Sequence, residues 1–234
     1  MFSKKEYSYL IISSIVLGFI FSFSQWGYDQ FNILIGIRNF LISFLLSLIF
    51  LLAREFIRKA VAKKIGFETE FKLWYVKQKS SKSNGIPIGV IASLLLVFIT
   101  NGQFIFAAVS KFDFKNYSKK DLKRRYEYIR GIEEAIIASI GALVPTFMVL
   151  IFNLFNIEKA VFIGTMLAIY SIVPLPSQDG IKMYFGSISY YILVSLFVIF
   201  SLVLVKTMGV LATLIISIIL ALLIALSVFY QLNK

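Results

Sequence analysis

The order of apolar and polar stretches along the chain is typical of a protein that crosses a membrane several times. A transmembrane helix needs about 20 predominantly apolar residues, and stretches of this length recur along the sequence. One further apolar stretch is too short for a full straight crossing. The predicted crossings, with that shorter one included, are residues 7–26, 31–53, 131–156, 160–173, 187–205 and 208–230.

The second apolar stretch continues, without an intervening Pro or Gly, into a charged segment that ends near Gly66. We therefore expect one helix to leave the membrane and to end at this glycine. Residues 67–85 form a polar stretch, and within it residues 67–75 alternate in a near period of two, as with Glu70 and Lys72 on either side of Phe71. That period of two predicts a short strand or hairpin at the membrane surface.

The apolar stretch at residues 86–109 is interrupted by a polar sequence at residues 100–103. Basic clusters precede and follow it, so a single crossing would place one cluster outside, against the positive-inside rule. Two full crossings do not fit in this length. We favour a re-entrant hairpin with its polar tip buried in protein over a single crossing.

With six crossings and both termini cytoplasmic, all but three of the 24 Lys and Arg residues lie on the cytoplasmic side. The exceptions are Arg38, Lys206 and Lys159, the last in a predicted short outer loop at residues 157–159. The sequence thus predicts an all-α polytopic membrane protein of the cell membrane. We expect a single membrane domain over residues 1–234 with about six transmembrane helices, a re-entrant hairpin and a short surface strand or hairpin.

Composition excludes other classes of protein. Hydrophobic residues make up 59% of the chain, charged residues 15%, and the mean hydropathy is +0.86. Soluble domains are typically about 45–50% apolar, so a soluble enzyme, a disordered chain and a coiled coil are ruled out. The net charge of +12 is explained by basic residues on the cytoplasmic face. The absence of Cys and His removes thiolate and imidazole chemistry.

The short apolar stretch at residues 160–173 predicts an unusual position for a carboxylate. Fourteen helical residues cover about 21 Å, less than the hydrocarbon thickness of about 30 Å. Pro174 and Pro176 end the helix, which leaves Asp179 and Gly180 near or within the membrane. An intramembrane carboxylate marks a candidate functional site. The alternative interpretation is an ordinary turn at the cytoplasmic rim.

A second candidate group is Arg54, Glu55 and Arg58, at the predicted cytoplasmic end of the second crossing. The two arginines are four residues apart and therefore share one face of the helix. Taken alone, they also fit lipid-facing anchors whose charged ends extend to the membrane surface.

Three segments together resemble the site-2 protease family of intramembrane zinc metalloproteases. Residues 54–66 resemble the family's HExxH helix, and residues 171–180 resemble its NxxPxPxxDG motif. Residues 138–143 resemble the small-residue AGP segment that lies between them in the family. The resemblance implies a site-2-protease-like core over residues 31–186, followed by a C-terminal helical pair at residues 187–234.

The resemblance also implies a set of site positions, several of which have changed. In the family, two His and the Asp of the DG pair bind zinc, and the Glu beside the first His activates water. Glu55 and Asp179 match the Glu and the Asp, while Arg54 and Arg58 stand at the two His positions. The motif residues Pro174, Pro176 and Gly180 are kept, whereas Ser171 replaces the motif Asn and Ala142 replaces the AGP proline.

These replacements predict a pseudoprotease. A guanidinium has no lone pair for a metal, and catalytic zinc normally has three protein ligands, so we expect no zinc and no catalysis. Two Arg in place of two neutral ligands also replace the charge of the lost ion. We therefore expect Arg54 or Arg58 to form a structural ion pair with Asp179.

The expected function is binding of membrane helices or partner proteins without cleavage. The alternatives are an active metalloprotease with an unrecognised metal site and a small transporter. We expect the lipid bilayer as a partner, with anionic lipid headgroups at the basic cytoplasmic face, for example along residues 119–126. Nucleic acid is not expected to bind.

Overall fold

The computed structural model describes residues 2–27, 31–76, 85–115 and 131–232. The basic segment at residues 119–126, for which lipid contact is predicted, lies outside this part of the chain. The described residues form these elements: α1 Lys4–Ser22, α2 Ile33–Ile65, β1 Thr69–Leu73, α3 Ile88–Ile99, β2 Ser110–Phe114, α4 Gly131–Leu154, α5 Glu158–Ile172, α6 Asp179–Gly186, α7 Ile188–Leu204 and α8 Val210–Leu232.

The prediction of a mostly helical chain is confirmed. The helices α1, α2, α4 and α8 are long and apolar enough to cross a membrane, whereas α5 and α7 have only 15 and 17 residues. The helix α2 runs without a break to Ile65, and Gly66 follows with a φ of 100°, as predicted for its C-terminus. The predicted outer loop at residues 157–159 is wrong in part, because Glu158 and Lys159 already belong to α5.

The chain forms two compact units. The first comprises Met1–Glu55 and Glu70–Asp113, and the second comprises Phe56–Thr69 and Phe114–Lys234. The helix α2 thus begins in the first unit and ends in the second. The predicted boundary at residue 187 lies within the second unit, and the division into core and helical pair stays a prediction.

In the first unit, the start of α1 is tied to the strand β1. Ser3 and Glu6 form a capping box at the start of α1. The buried Glu6 carboxylate also accepts a hydrogen bond from the backbone N–H of Phe71, at 2.9 Å. Residues of β1 are alternately buried and half-buried, as its sequence predicts, and β1 pairs with β2.

Residues 86–109 reverse direction in the first unit, as predicted. The helix α3 ends at Ile99, residues 100–103 form a tight turn, and an extended arm leads back to Val109. The prediction of a buried polar tip is wrong, because Asn101 and Gln103 are exposed. The turn is made by consecutive left-handed residues, Asn101 with a φ of 49° and Gly102 with a φ of 79°.

In the second unit, α5 and α6 together follow α4 in the opposite direction. A Cβ atom added at Gly141 would overlap the carboxylate of Asp179, at the start of α6. A Cβ atom added at Gly131, at the start of α4, would lie 2.8 Å from the Gly186 carbonyl oxygen at the end of α6. The two short helices therefore form one discontinuous helix beside α4, broken at residues 173–178.

Candidate functional site

A buried ion pair joins α2 to α6. Nη2 of Arg58 lies 2.5 Å from Oδ2 of Asp179, and the side chains are 0% and 6% exposed. Arg58 is the largest of the completely buried side chains in the described chain. Charges enclosed in this way require partners, because their desolvation is costly. This contact brings together two residues that the sequence predicts as site residues.

The break between α5 and α6 places Asp179 at this position. Pro174 and Pro176 follow the end of α5, and Pro cannot continue a helix without losing hydrogen bonds. Asp179 then occupies the first turn of α6, where the helix dipole favours a negative charge. A Cβ atom added at Gly180 would lie 2.6 Å from the Ile172 carbonyl oxygen, so only glycine allows α6 to start this close to α5. Asp179 is 4% exposed, and whether this turn lies within the membrane or at the cytoplasmic rim stays a prediction.

Gly141 of α4 forms the wall against which the ion pair rests. The Cβ atom of any other residue there would overlap Oδ2 of Asp179 and lie 2.6 Å from Nη2 of Arg58. Four residues later, Pro145 lies inside the helix and has no N–H to donate to the Gly141 carbonyl. The site is thus built where α4 has neither a side chain nor its regular hydrogen bond.

In the first unit, Arg54 lies against Glu55 and reaches the strand β2. Its Nε lies 3.1 Å from Oε1 of Glu55, and its Nη2 lies 3.2 Å from the Ser110 hydroxyl oxygen. Arg54 is 6% exposed and Glu55 is fully buried. Since Arg54 and Arg58 are both buried in protein, the interpretation of these arginines as lipid-facing anchors is wrong.

The remaining motif residues have local roles. The Ser171 hydroxyl donates to the Leu167 carbonyl at 2.9 Å, within its own helix. Pro174 and Pro176 are exposed. The end of α5 is held by α7, because the Tyr191 hydroxyl donates to the Ile172 carbonyl at 3.0 Å.

The residues present do not fit the zinc that the family resemblance implies. The Asp179 oxygen is occupied by a guanidinium, which is a donor only and offers no lone pair to a cation. Water activation by zinc would require ligands in place of this contact. The arrangement is suited to holding helices together.

Two contributing residues are not assigned by the sequence. Gly141 belongs to the small-residue segment that resembles AGP, and the presence of Pro145 four residues later is the signal that marks it. Ser110 carries no such signal, because its link to Arg54 joins residues 56 positions apart.

Comparisons of the chain with protein-family models, curated proteins and solved structures give no match.

Proposed function

We propose that the chain is a catalytically inactive, site-2-protease-like membrane protein that binds membrane helices or partner proteins without cleaving them. The observation that supports this most directly is the ion pair between Arg58 and Asp179. In the family, the matching positions are zinc ligands on two different segments. In this chain a guanidinium–carboxylate contact joins the two residues that match those positions in the motif resemblance.

The setting of the ion pair supports an intramembrane site. Gly141, against which the pair rests, lies ten residues, or about 15 Å, from the start of the apolar helix α4. On α2, Arg58 lies five residues, or about 7.5 Å, before the exposed Lys63, which marks the end of the helix. Lysine near the end of a membrane helix places its ammonium at the lipid headgroups. The ion pair then lies on the hydrocarbon side of that level.

The discontinuous helix supports a binding role. Non-helical backbone at membrane depth is tolerated where protein covers it or where it borders a polar cavity. Residues 173–178 interrupt the helix at the depth of the ion pair and expose Pro174 and Pro176. We infer that a neighbouring membrane helix can contact this break. Six crossings, cytoplasmic termini and contact of the basic face with anionic lipids belong to the same proposal.

Purified wild-type protein tests the loss of catalysis. After incubation with zinc and removal of free ions, we expect zinc far below one ion per chain by elemental analysis. A reporter transmembrane peptide that is reconstituted together with this protein in proteoliposomes should keep its mass. One zinc ion per chain, or cleavage that a chelator stops, would contradict the proposal.

Binding is tested separately with the same peptide. Energy transfer between a dye on the protein and a dye on the peptide should saturate and should fall when unlabelled peptide competes. Transfer that only follows the peptide density in the bilayer, without competition, would show that the binding part of the proposal is wrong.

A further inference from the structure

Two contacts tie α4 to its neighbours, one near each end of the helix. At the start, a Cβ atom added at Gly131 would lie 2.8 Å from the Gly186 carbonyl oxygen, so α4 begins where α6 ends. Near the other end, Nδ2 of Asn153 donates to the Val205 carbonyl at 3.1 Å, just beyond the end of α7. Since α7 follows α6 directly, α4 and α7 run in the same direction between two common levels.

These two levels are about one membrane thickness apart. Asn153 follows Gly131 by 22 residues, or about 33 Å of helix. The 17 residues of α7 span about 26 Å. The hydrocarbon core of a bilayer is about 30 Å thick, so both helices have the length of one crossing between the two contacts.

Charge is distributed as these two levels require. Residues 135–153 of α4 and residues 188–205 of α7 contain no Asp, Glu, Lys or Arg. Glu134 directly precedes the first of these stretches, and Lys206 directly follows the second. Ionised groups are costly in the hydrocarbon core. Both uncharged stretches therefore fit between its two boundaries, with the start of α4 at one of them.

The α6–α7 corner, residues 184–188, carries exposed apolar side chains at the level where α4 starts. Phe185 is 79% exposed, Ile188 is 47% exposed and Tyr184 is 40% exposed. Ile132, in the first turn of α4, is 41% exposed. Exposed apolar side chains that lie together mark a surface for contact with a membrane or another protein.

We propose that the α6–α7 corner inserts Phe185 and Ile188 into the boundary between headgroups and acyl chains of the leaflet at the start of α4. This rests on the membrane crossing by α4 and α7, which belongs to the proposed function. Phenylalanine and other large apolar side chains are favoured at that boundary. Residues 115–130, directly before α4 in the sequence, contain seven Lys or Arg and two Asp or Glu, a composition that attracts anionic headgroups to this level.

The direction of α6 limits the depth of the corner. The helix runs outward from Asp179, so Phe185 lies about 4.5 Å nearer to the boundary than Lys182, whose ammonium needs polar surroundings. Six residues, or about 9 Å of helix, separate Phe185 from Asp179. Lipid contact at the corner therefore holds the carboxylate of the ion pair at a set distance below the headgroups.

The chain contains no cysteine, so a nitroxide can be attached to one introduced cysteine at a time. We would label Phe185→Cys at the corner, Ile199→Cys well inside α7 and Gly209→Cys beyond its end, all at exposed positions. The labelled proteins are reconstituted in vesicles of phosphatidylcholine and phosphatidylglycerol. Collisions of the nitroxide with oxygen increase with depth in the hydrocarbon, whereas collisions with a water-soluble nickel chelate decrease.

We expect the ratio of oxygen to nickel collisions at Phe185→Cys to lie between the high ratio at Ile199→Cys and the low ratio at Gly209→Cys. A ratio equal to either control would overturn the proposal, because the corner would then lie in the hydrocarbon core or in water. Infrequent collisions with both reagents would overturn it as well, since they indicate that protein covers the corner. Ile188→Cys, as a second corner variant, must give an intermediate ratio too.

The two controls separate this proposal from the proposed function. If the corner alone gives the wrong depth, Ile199→Cys still has a higher ratio than Gly209→Cys, and the crossing by α7 stands. Equal ratios at these two positions would contradict the crossing itself, and the proposal for the corner would fall with it.

Discussion

The carboxylate of Asp179 lies directly against the Cα atom of Gly141, with no room for a side chain between them. The same glycine lies beside Nη2 of Arg58. One position of α4 therefore determines whether α2 and α6 can meet. The ion pair and the backbone of α4 form a single packed contact.

Replacing this glycine should destabilise the second unit. In Gly141→Ala, the new Cβ atom pushes against both partners of the ion pair, and overpacking of this kind costs about 1–3 kcal/mol. The free energy of unfolding in detergent, measured by denaturant titration, reports the change. Gly209→Ala is the matched control, because a Cβ atom there meets nothing within 4 Å. Equal effects of the two substitutions would show that the close contact has no energetic weight.

Neutralising Asp179 should have a larger effect. Asp179→Asn leaves the buried Arg58 without its countercharge, and removal of one partner of a buried pair costs about 3–5 kcal/mol. The control is Asp113→Asn, because that carboxylate lies 3.3 Å from Lys111 and is 34% exposed. Lys111 and Asp113 are half-buried and in contact with solvent, and pairs at the surface contribute about 0–1 kcal/mol.

A double replacement distinguishes the contribution of the two charges from that of the volume that their side chains fill. Arg58→Met combined with Asp179→Leu removes both charges. We expect the free energy of unfolding of this double variant to be closer to that of wild type than the value for Asp179→Asn alone. The same denaturant titration checks this order. A double variant less stable than Asp179→Asn would indicate that these positions need their polar contacts.

Much of the second unit is predictable because its signals are local. The apolar stretches define α4, α7 and α8, and Pro174 with Pro176 marks the break before Asp179. The contact between Arg58 and Asp179 joins residues 121 positions apart, and periodicity alone does not predict it. Only the resemblance to a family whose metal joins the same two positions indicates that they meet.

In the first unit, local sequence patterns predict less of the structure. The strand β1 is predicted by alternation, whereas its partner β2, which follows the apolar stretch at residues 86–109, is not predicted although Lys111 to Phe114 alternate in the same way. The polar tip of the hairpin is predicted as buried because it interrupts an apolar sequence. The tip lies beside Phe23, just beyond the end of α1, and this position is a property of the packed unit rather than of the tip sequence.

The link between α1 and β1 should depend on the Glu6 carboxylate. Its oxygens accept from the Phe71 N–H at 2.9 Å and from the Ser3 N–H at 2.7 Å. Glu6→Ala leaves a buried donor on β1 unsatisfied, at a cost of about 1–3 kcal/mol. Amide hydrogen exchange at Phe71 should become faster, while exchange in α7 should not change. Unchanged protection at Phe71 would contradict a role for this carboxylate in holding the strand.

The pair of Glu68 and Lys115 should make a small, acid-sensitive contribution to stability. The hydrogen bond from Lys115, at 2.9 Å, lowers the pKa of Glu68 below its usual value of 4.5. This contribution is complete above that value and is lost as the pH falls through the lower pKa of the folded state. Since both side chains are 54% exposed, solvent screening limits it to less than about 1 kcal/mol. Unfolding midpoints of wild type and Glu68→Gln should differ at pH 7 and converge as the pH falls below the lowered pKa of Glu68.

Restoring the two imidazoles tests the motif resemblance itself. If the register over residues 54–66 and 171–180 is that of the family, R54H/R58H supplies two neutral nitrogen ligands, and Asp179 supplies the third ligand. Three protein ligands are the usual complement of an open zinc site. We expect the double variant to bind about one zinc ion per chain, measured by elemental analysis after removal of free metal. Addition of Asp179→Asn to R54H/R58H should abolish that binding. A folded double variant without zinc would mean that the arginines do not occupy the ligand positions of a site-2 protease, whatever the contact between Arg58 and Asp179 contributes to stability.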